Sequence, residues 1–285
     1  MLLKTDRIIA TIEDVVMRSY NMDVDEQFVL DPTAIIGWTD GSDMRRDSSP
    51  RPTSNGNFAE PGTISARVIT FSGIAVAKSR QGLQKLRDKL IGLLVDGEYK
   101  TLSVETSVGT RYATVGLEGT TSFVQQTDTF ATFRISFYAP DPHIYGAPQV
   151  VNIGAKSATG GLRYPLRYPL RFNIEKAARQ ETTLSNSGNA NAWPEVKVTG
   201  DYFSGFHISN NLGDFVTYSG QVTIQAPVTI DMARGTAIQG GVDKSALLTR
   251  RDWFCIKPNQ TIRPTFLPIQ SGTGWCDIIM RDTWI

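Results

Sequence analysis

The sequence predicts a mainly β protein with one principal helix, an α+β domain followed by an all-β sandwich. Three observations carry this reading. Apolar residues alternate with polar ones over most of the 285 residues. A single leucine stripe at helical spacing lies in the first third. In the second half, Gly, Asn or Pro interrupts short apolar runs every ten residues or so, which is sandwich spacing, and no helix of comparable quality follows residue 95.

Taken in order, the opening segment "MLLKTDRIIATIEDVV" carries Lys4, Asp6, Arg7, Glu13 and Asp14, so no signal-peptide core is read in it. Residues 35–62, "IIGWTDGSDMRRDSSPRPTSNGNFAEPG", are rich in Gly, Ser, Pro, Asn and Asp and read as a long loop. Loops of that length inside a domain are often functional. Its arginines Arg45, Arg46 and Arg51 are the candidates for contact with a neighbouring subunit. The following "TISARVITFSGIAVA" is β-branched and predicts a strand.

Residues 79–95 predict the helix. Ser79 suits an N-cap, and Leu83, Leu86, Leu90, Leu93 and Leu94 share one face. "YATVGLE" and "FATFRISFY" alternate strictly and predict antiparallel strands with two different faces. The second half offers "PEVKVTG", "SGFHISN", "DFVTYSG", "QVTIQAPVTID" and "GWCDIIMRD" as strands.

Between the halves stands "GLRYPLRYPLRF" (161–172), with RYPL written twice. Prolines four apart hold the backbone extended. The reading is an N-terminal domain over 1–146, an extended proline-containing connector over 147–172 and a C-terminal domain over 173–285. Tyr164, Pro165, Tyr168 and Pro169 are the connector's stiffening and packing groups.

Charge and chemistry exclude several function classes. Lys and Arg number 29 against 28 Asp and Glu, a net charge of +1. That is no footprint for nucleic acid or an anionic membrane, and no apolar run approaches a membrane span. Cys255 and Cys276 sit in strand-like contexts and read as two buried free thiols. His143 and His207 lack metal-ligand spacing, and no phosphate loop or nucleophile elbow occurs. "DGSD" (40–43) reads as turn chemistry rather than a calcium loop. No cofactor, metal or catalytic constellation is read.

The order of features resembles the distal tail protein family of long non-contractile-tailed phages. "GW" (37–38) precedes the arginine-bearing loop. "ARVITFSG" (66–73), the leucine helix, "YKTLSVETSVGTRYATVGLEG" (99–119) and "FATFRISFYAPDPHIYG" (130–146) follow. Phe137, Pro140, Asp141, Pro142 and Tyr145 match the way that family's first domain ends, and "NSGNANAWPEVKVTGDYFSGFHISN" looks like the opening of its second. The resemblance implies a virion tail-tip protein that is not an enzyme. Its first domain forms a homo-hexameric ring against the tail-tube protein. Its second is a galectin-like sandwich, and the ring is a hub for tail-tip spike or baseplate proteins. Two rivals stay open: a tail-tube or terminator subunit, and a carbohydrate-binding sandwich using Trp193, Trp253, Trp275 or Trp284 as stacking surfaces.

Overall fold

In a computed structural model, residues 7–22, 24–154 and 182–285 are described. The RYPL repeat, with Tyr164, Pro165, Tyr168 and Pro169, lies outside the described residues. The chain divides into two compact units, residues 1–147 with Ile285, and residues 148–284.

The first unit is a closed β barrel. Strands β1 (Ile9–Ile12), β2 (Val15–Arg18) and β3 (Glu26–Ile36) open it. Four short strands follow, β4 (Met44–Arg45), β5 (Ser48–Pro50), β6 (Asn57–Ala59) and β7 (Thr63–Ile64), none of which joins the barrel. β8 (Arg67–Ala77), helix α1 (Arg80–Ile91), β9 (Lys100–Thr106), β10 (Gly109–Gln125) and β11 (Phe130–Ala139) complete it. The order β11-β8-β3-β2-β1-β9-β10 closes because β11 also pairs with β10. All pairings are antiparallel except β2 with β3. Closure removes the free edges that an open sheet would present.

Strict alternation explains the barrel's filling. Phe133, Ile135 and Phe137 are buried, while Arg134 between them is exposed. Edge-to-face ring pairs Phe28–Phe133 (5.3 Å) and Phe71–Phe137 (5.7 Å) join strands across the interior.

Ser79 caps α1 as expected, its Oγ accepting from Gly82 N at 3.1 Å. The helix buries Leu83, Leu86 and Leu90 and packs on β3, β8 and β10. It is shorter than the 79–95 expected from the leucine stripe. It stops at Ile91, before Gly92, and Leu94 takes a left-handed φ of 58°. Leu93 and Leu94 are nevertheless buried. Lys85 and Lys89 tie its exposed side to Glu26 (3.5 Å) and Asp14 (2.9 Å).

β12 (Ile144–Gly154) carries the chain across the division at Ala147. The first residues of the expected connector, 148–154, are therefore strand belonging to the second unit.

The second unit is a two-sheet sandwich. Its strands are β13 (Leu184–Ser185), β14 (Glu195–Asp201), β15 (Phe206–Ser209), β16 (Phe215–Tyr218), β17 (Val228–Asp231), β18 (Thr236–Gln239) and β19 (Val242–Asp243). Then come β20 (Leu248–Arg251), β21 (Thr261–Ile262), β22 (Thr265–Pro268) and β23 (Thr273–Trp284). One sheet runs β12-β23-β14-β17-β18-β19, the other β20-β16-β15-β22, with β13–β21 as a small pair. They share one core, in which Tyr202, Phe206, Tyr218 and Phe266 pack at centroid distances of 5.4–5.6 Å. Burial pushes the Tyr202 hydroxyl up to about 12, and raises the Cys276 thiol as well. Both cysteines are free; Cys276 is buried, whereas Cys255 is only half-buried, following the strand-poor stretch after Arg251.

Candidate assembly arm and its anchorage

The stretch expected to be a long loop is an ordered hairpin. Ser65 N donates to Asp43 O (2.8 Å), β4 pairs with β7, and Glu60 N donates to Asp47 O (3.4 Å). β5 then pairs with β6, and Arg51 N donates to Gly56 O (3.1 Å) to close the tip. Two short ladders, linked by the Glu60–Asp47 bond, so run from residue 43 to the turn at 51–56. At strand rise the hairpin's length is about 30 Å. Every residue from 43 to 64 is exposed except Gly62, which is half-buried. A two-stranded ribbon without a core beneath it is marginal in water.

The sequence concealed this arm because its pattern is not amphipathic. Ser, Pro, Asn and Arg fill both faces, so no period marks a strand. The apolar groups that it does carry face solvent: Met44 opposite Ile64, and Phe58 opposite Ser49. Arg45 lies opposite Thr63. Arg46, adjacent to it in a strand-like run, points to the other side, against Gly62. Arg51 sits at the tip, its guanidinium 5.2 Å from the Phe58 ring centroid. The three expected arginines therefore share one arm but do not form one patch.

The arm's root is held by a residue that the sequence reading passed over. Arg67 is 3% exposed. Its Nη1 donates to Gly37 O and Asp40 O, both at 2.8 Å, and its Nε to Pro142 O at 2.9 Å. Gly37 is required there: its φ is 79°, and a Cβ would lie 2.0 Å from Val68 O. Asp40 Oδ2 accepts from Gly37 N (2.8 Å), so "DGSD" does serve as turn chemistry. Burial lowers the Arg67 pKa, opposed by the charge of Asp40, and the guanidinium stays ionised. The signal was present in the period of two. Positions 67, 69 and 71 share a face, and Ile69 and Phe71 are core.

Pro142 is positioned in turn by its neighbours. Asp141 accepts from His143 N (3.1 Å), from the His143 ring at Nδ1 (2.7 Å) and from the Tyr145 hydroxyl (2.5 Å). Burial works against this carboxylate, but those hydrogen bonds prevail and hold its pKa below the ordinary range. "GW", "ARVITF" and "APDPHIYG", far apart in the chain, thus meet at one guanidinium.

Elsewhere on the barrel, two bulges form a trough. Between Leu30 and Ile35 of β3, four residues stand opposite the single Ser72 of β8. Between Glu118 and Ser122 of β10, three stand opposite Ile135 of β11. The bulges are walls, and β8 and β11 are the floor. The trough has a volume of about 400 Å³ and is lined by Asp31, Ile74, Ser122, Thr132, Phe133 and Arg134, among others. Gly73 brings β3 and β8 together, since a Cβ there would lie 2.1 Å from Val29 O. The Asp31 carboxylate accepts from the Thr33 hydroxyl and backbone N–H, which lower its pKa.

Among the described residues no cluster of three His, Cys, Asp or Glu could hold a metal ion. No described helix is long and apolar enough to cross a membrane.

No protein-family model matches the sequence, and no curated protein matches it. Solved structures do. The Dit protein of phage SPP1, described as a paradigm of the hub adsorption apparatus in phages that infect Gram-positive bacteria, superposes with a TM-score of 0.61. The identity is 12%, over 98% of this chain and 99% of that one. The baseplate of phage P2 in its activated conformation with calcium matches at 0.49, with 11% identity over 96% of this chain and 97% of that one. From end to end, the chain has the fold of a phage distal tail (Dit) protein.

Proposed function

We propose that the protein is a structural component of a phage tail tip. Six copies close into a hub ring that joins the tail-tube protein to the tail-tip spike or baseplate proteins. It works by presenting surfaces, not by catalysis, and needs no cofactor. Its place is the virion tail tip, after assembly in the host cytoplasm.

The observation that carries this reading is the exposed arm on a chain whose fold matches the SPP1 Dit protein over its whole length. A closed ring uses two different faces of each subunit, one that gives and one that receives. The arm is the giving face, with Met44, Phe58 and Ile64 left in water until a neighbour covers them. The trough is the receiving face on the next copy. Its floor is two strands wide and its walls about 14 Å apart at normal strand spacing, enough for a two-stranded ribbon. Arg51 with Phe58 on the arm complements Asp31 with Ile74 in the trough.

Two measurements test it. Particle imaging should show six copies around a continuous channel; a lone copy or a three-fold arrangement would overturn the ring. Reversing Arg45 and Arg46 to Glu should weaken ring formation far more than it lowers the subunit's thermal midpoint. For the receiving face, Arg51→Asp and Asp31→Arg should each weaken association, and the two together should restore part of it. If rings form and neither variant weakens them, the trough is not the receiver.

A further inference from the structure

We propose that the outward face of the β12–β23–β14 sheet in the second unit is a binding platform for an extended oligosaccharide, centred on Trp275. This inference is independent of the ring, since a lone subunit carries the whole site.

Trp275 is 42% exposed on a strand whose alternate residues, Cys276 and Ile278, are fully buried. Its ring is not loose. Nε1 donates to Asp277 Oδ2 at 3.1 Å, and Asp277 Oδ1 accepts from Asn152 Nδ2 of β12 at 2.6 Å. The indole's one polar atom is thereby satisfied within the protein. What it offers a ligand is a flat apolar face in a preset orientation.

The surroundings decide which ligand. The residue opposite Trp275 on β14 is Thr199, and the residue opposite Asp277 is Lys197. Thr229 follows across Lys197 on β17. Around the ring therefore stand a hydroxyl, a carboxylate, an amide and an ammonium, all outward. Tryptophans that anchor protein interfaces sit in desolvated, well-packed pockets. Here the rim is solvent-exposed and hydrogen-bonding. A pyranose has the matching form, with an apolar C–H face to lay on the indole and hydroxyls at its edge. Each Asp277 oxygen has already accepted one bond and retains capacity for another.

The same face continues. Along β14, Lys197 and Glu195 are exposed and alternate with the buried Val198 and Val196, and this alternation extends back to Trp193, 43% exposed. Trp193 lies six positions before Thr199, about 20 Å at strand rise. A second ring at that distance suits a chain of several sugars rather than one.

The test uses the full-length protein on a glycan array and, for the oligosaccharides retained, titration calorimetry with a series of increasing length. Purified bacterial cell-wall polysaccharide serves as a further probe. Binding is expected, with Trp275→Ala weakening it about tenfold or more and Trp275→Phe retaining most of it. Trp193→Ala should weaken the longer oligosaccharides and leave the shortest unchanged. Because both side chains are on the surface, thermal midpoints should stay near wild type, which separates lost binding from lost folding. Absence of binding to every probe would overturn the proposal. So would binding that Trp275→Ala leaves intact, or a tail-tip protein found covering Trp275 in the particle.

Discussion

A single guanidinium, that of Arg67, fixes where the arm leaves the barrel, because it closes three carbonyls at once. Arg67→Ala should leave those carbonyls without a donor and cost about 2–4 kcal/mol. Chemical denaturation measures the loss, and hydrogen exchange should show residues 37–42 opening first. An unchanged midpoint would contradict this role. Asp141 acts at the same junction and has a pH signature. Its pKa is lower in the folded than in the unfolded chain. Its contribution is therefore present above the ordinary carboxylate pKa, about 3.9, and fades as pH falls through the folded value. Asp141→Asn should lower the thermal midpoint near pH 7 and converge with wild type in strong acid. Equal midpoints at pH 7 would show that the carboxylate's charge contributes nothing there.

At the scale of elements, legibility followed burial. Helix α1 was readable because Leu83, Leu86 and Leu90 mark one face, and Ser79 marks the start. Its end was not, since Leu93 and Leu94 continue the apolar pattern after the backbone has left the helix. Leu90→Ala should cost about 2–5 kcal/mol, with Leu86→Ala, slightly less buried, no greater. Equilibrium unfolding of both variants checks this, and two unaltered midpoints would refute the packing. The strands "YATVGLE" and "FATFRISFY" were readable through the same cause, one wet face and one dry. The arm was not, because both of its faces are wet. Nor were barrel closure, a long-range choice, and the parallel β2–β3 pair, which no local period encodes. Among the candidate residues, Arg45, Arg46 and Arg51 do fall on the arm; Arg67 was marked by its place on the core face of its strand, whereas Phe58 became visible only once chain segments were placed in space.

For the molecule as a whole, the position of residues 148–154 matters most. They belong to the second unit, where Gln149 donates to Asp282 (3.0 Å) and Asn152 to Asp277 (2.6 Å), with Val151 and Ile153 against the core. A fragment of residues 148–285 should therefore unfold cooperatively. A fragment of 173–285 lacks that strand and should unfold at a lower midpoint or not fold. If the two fragments have equal midpoints, the strand adds nothing to the second unit. The comparison also tests where the unit begins, which the proline-rich repeat had suggested lies later.

The bare arm has a consequence for the subunit's lifetime. A ribbon without a core opens readily, and open backbone is what proteases cut. Trypsin cleaves after arginine but not before proline, so Pro52 shields the bond after Arg51, while Arg45 and Arg46 are both scissile. A newly made subunit waiting for neighbours should be nicked at those two bonds before the barrel is touched. Once a neighbour covers the ribbon, the same bonds should resist. Brief trypsin treatment followed by mass spectrometry would thus date a population of subunits, the nicked ones being those that waited.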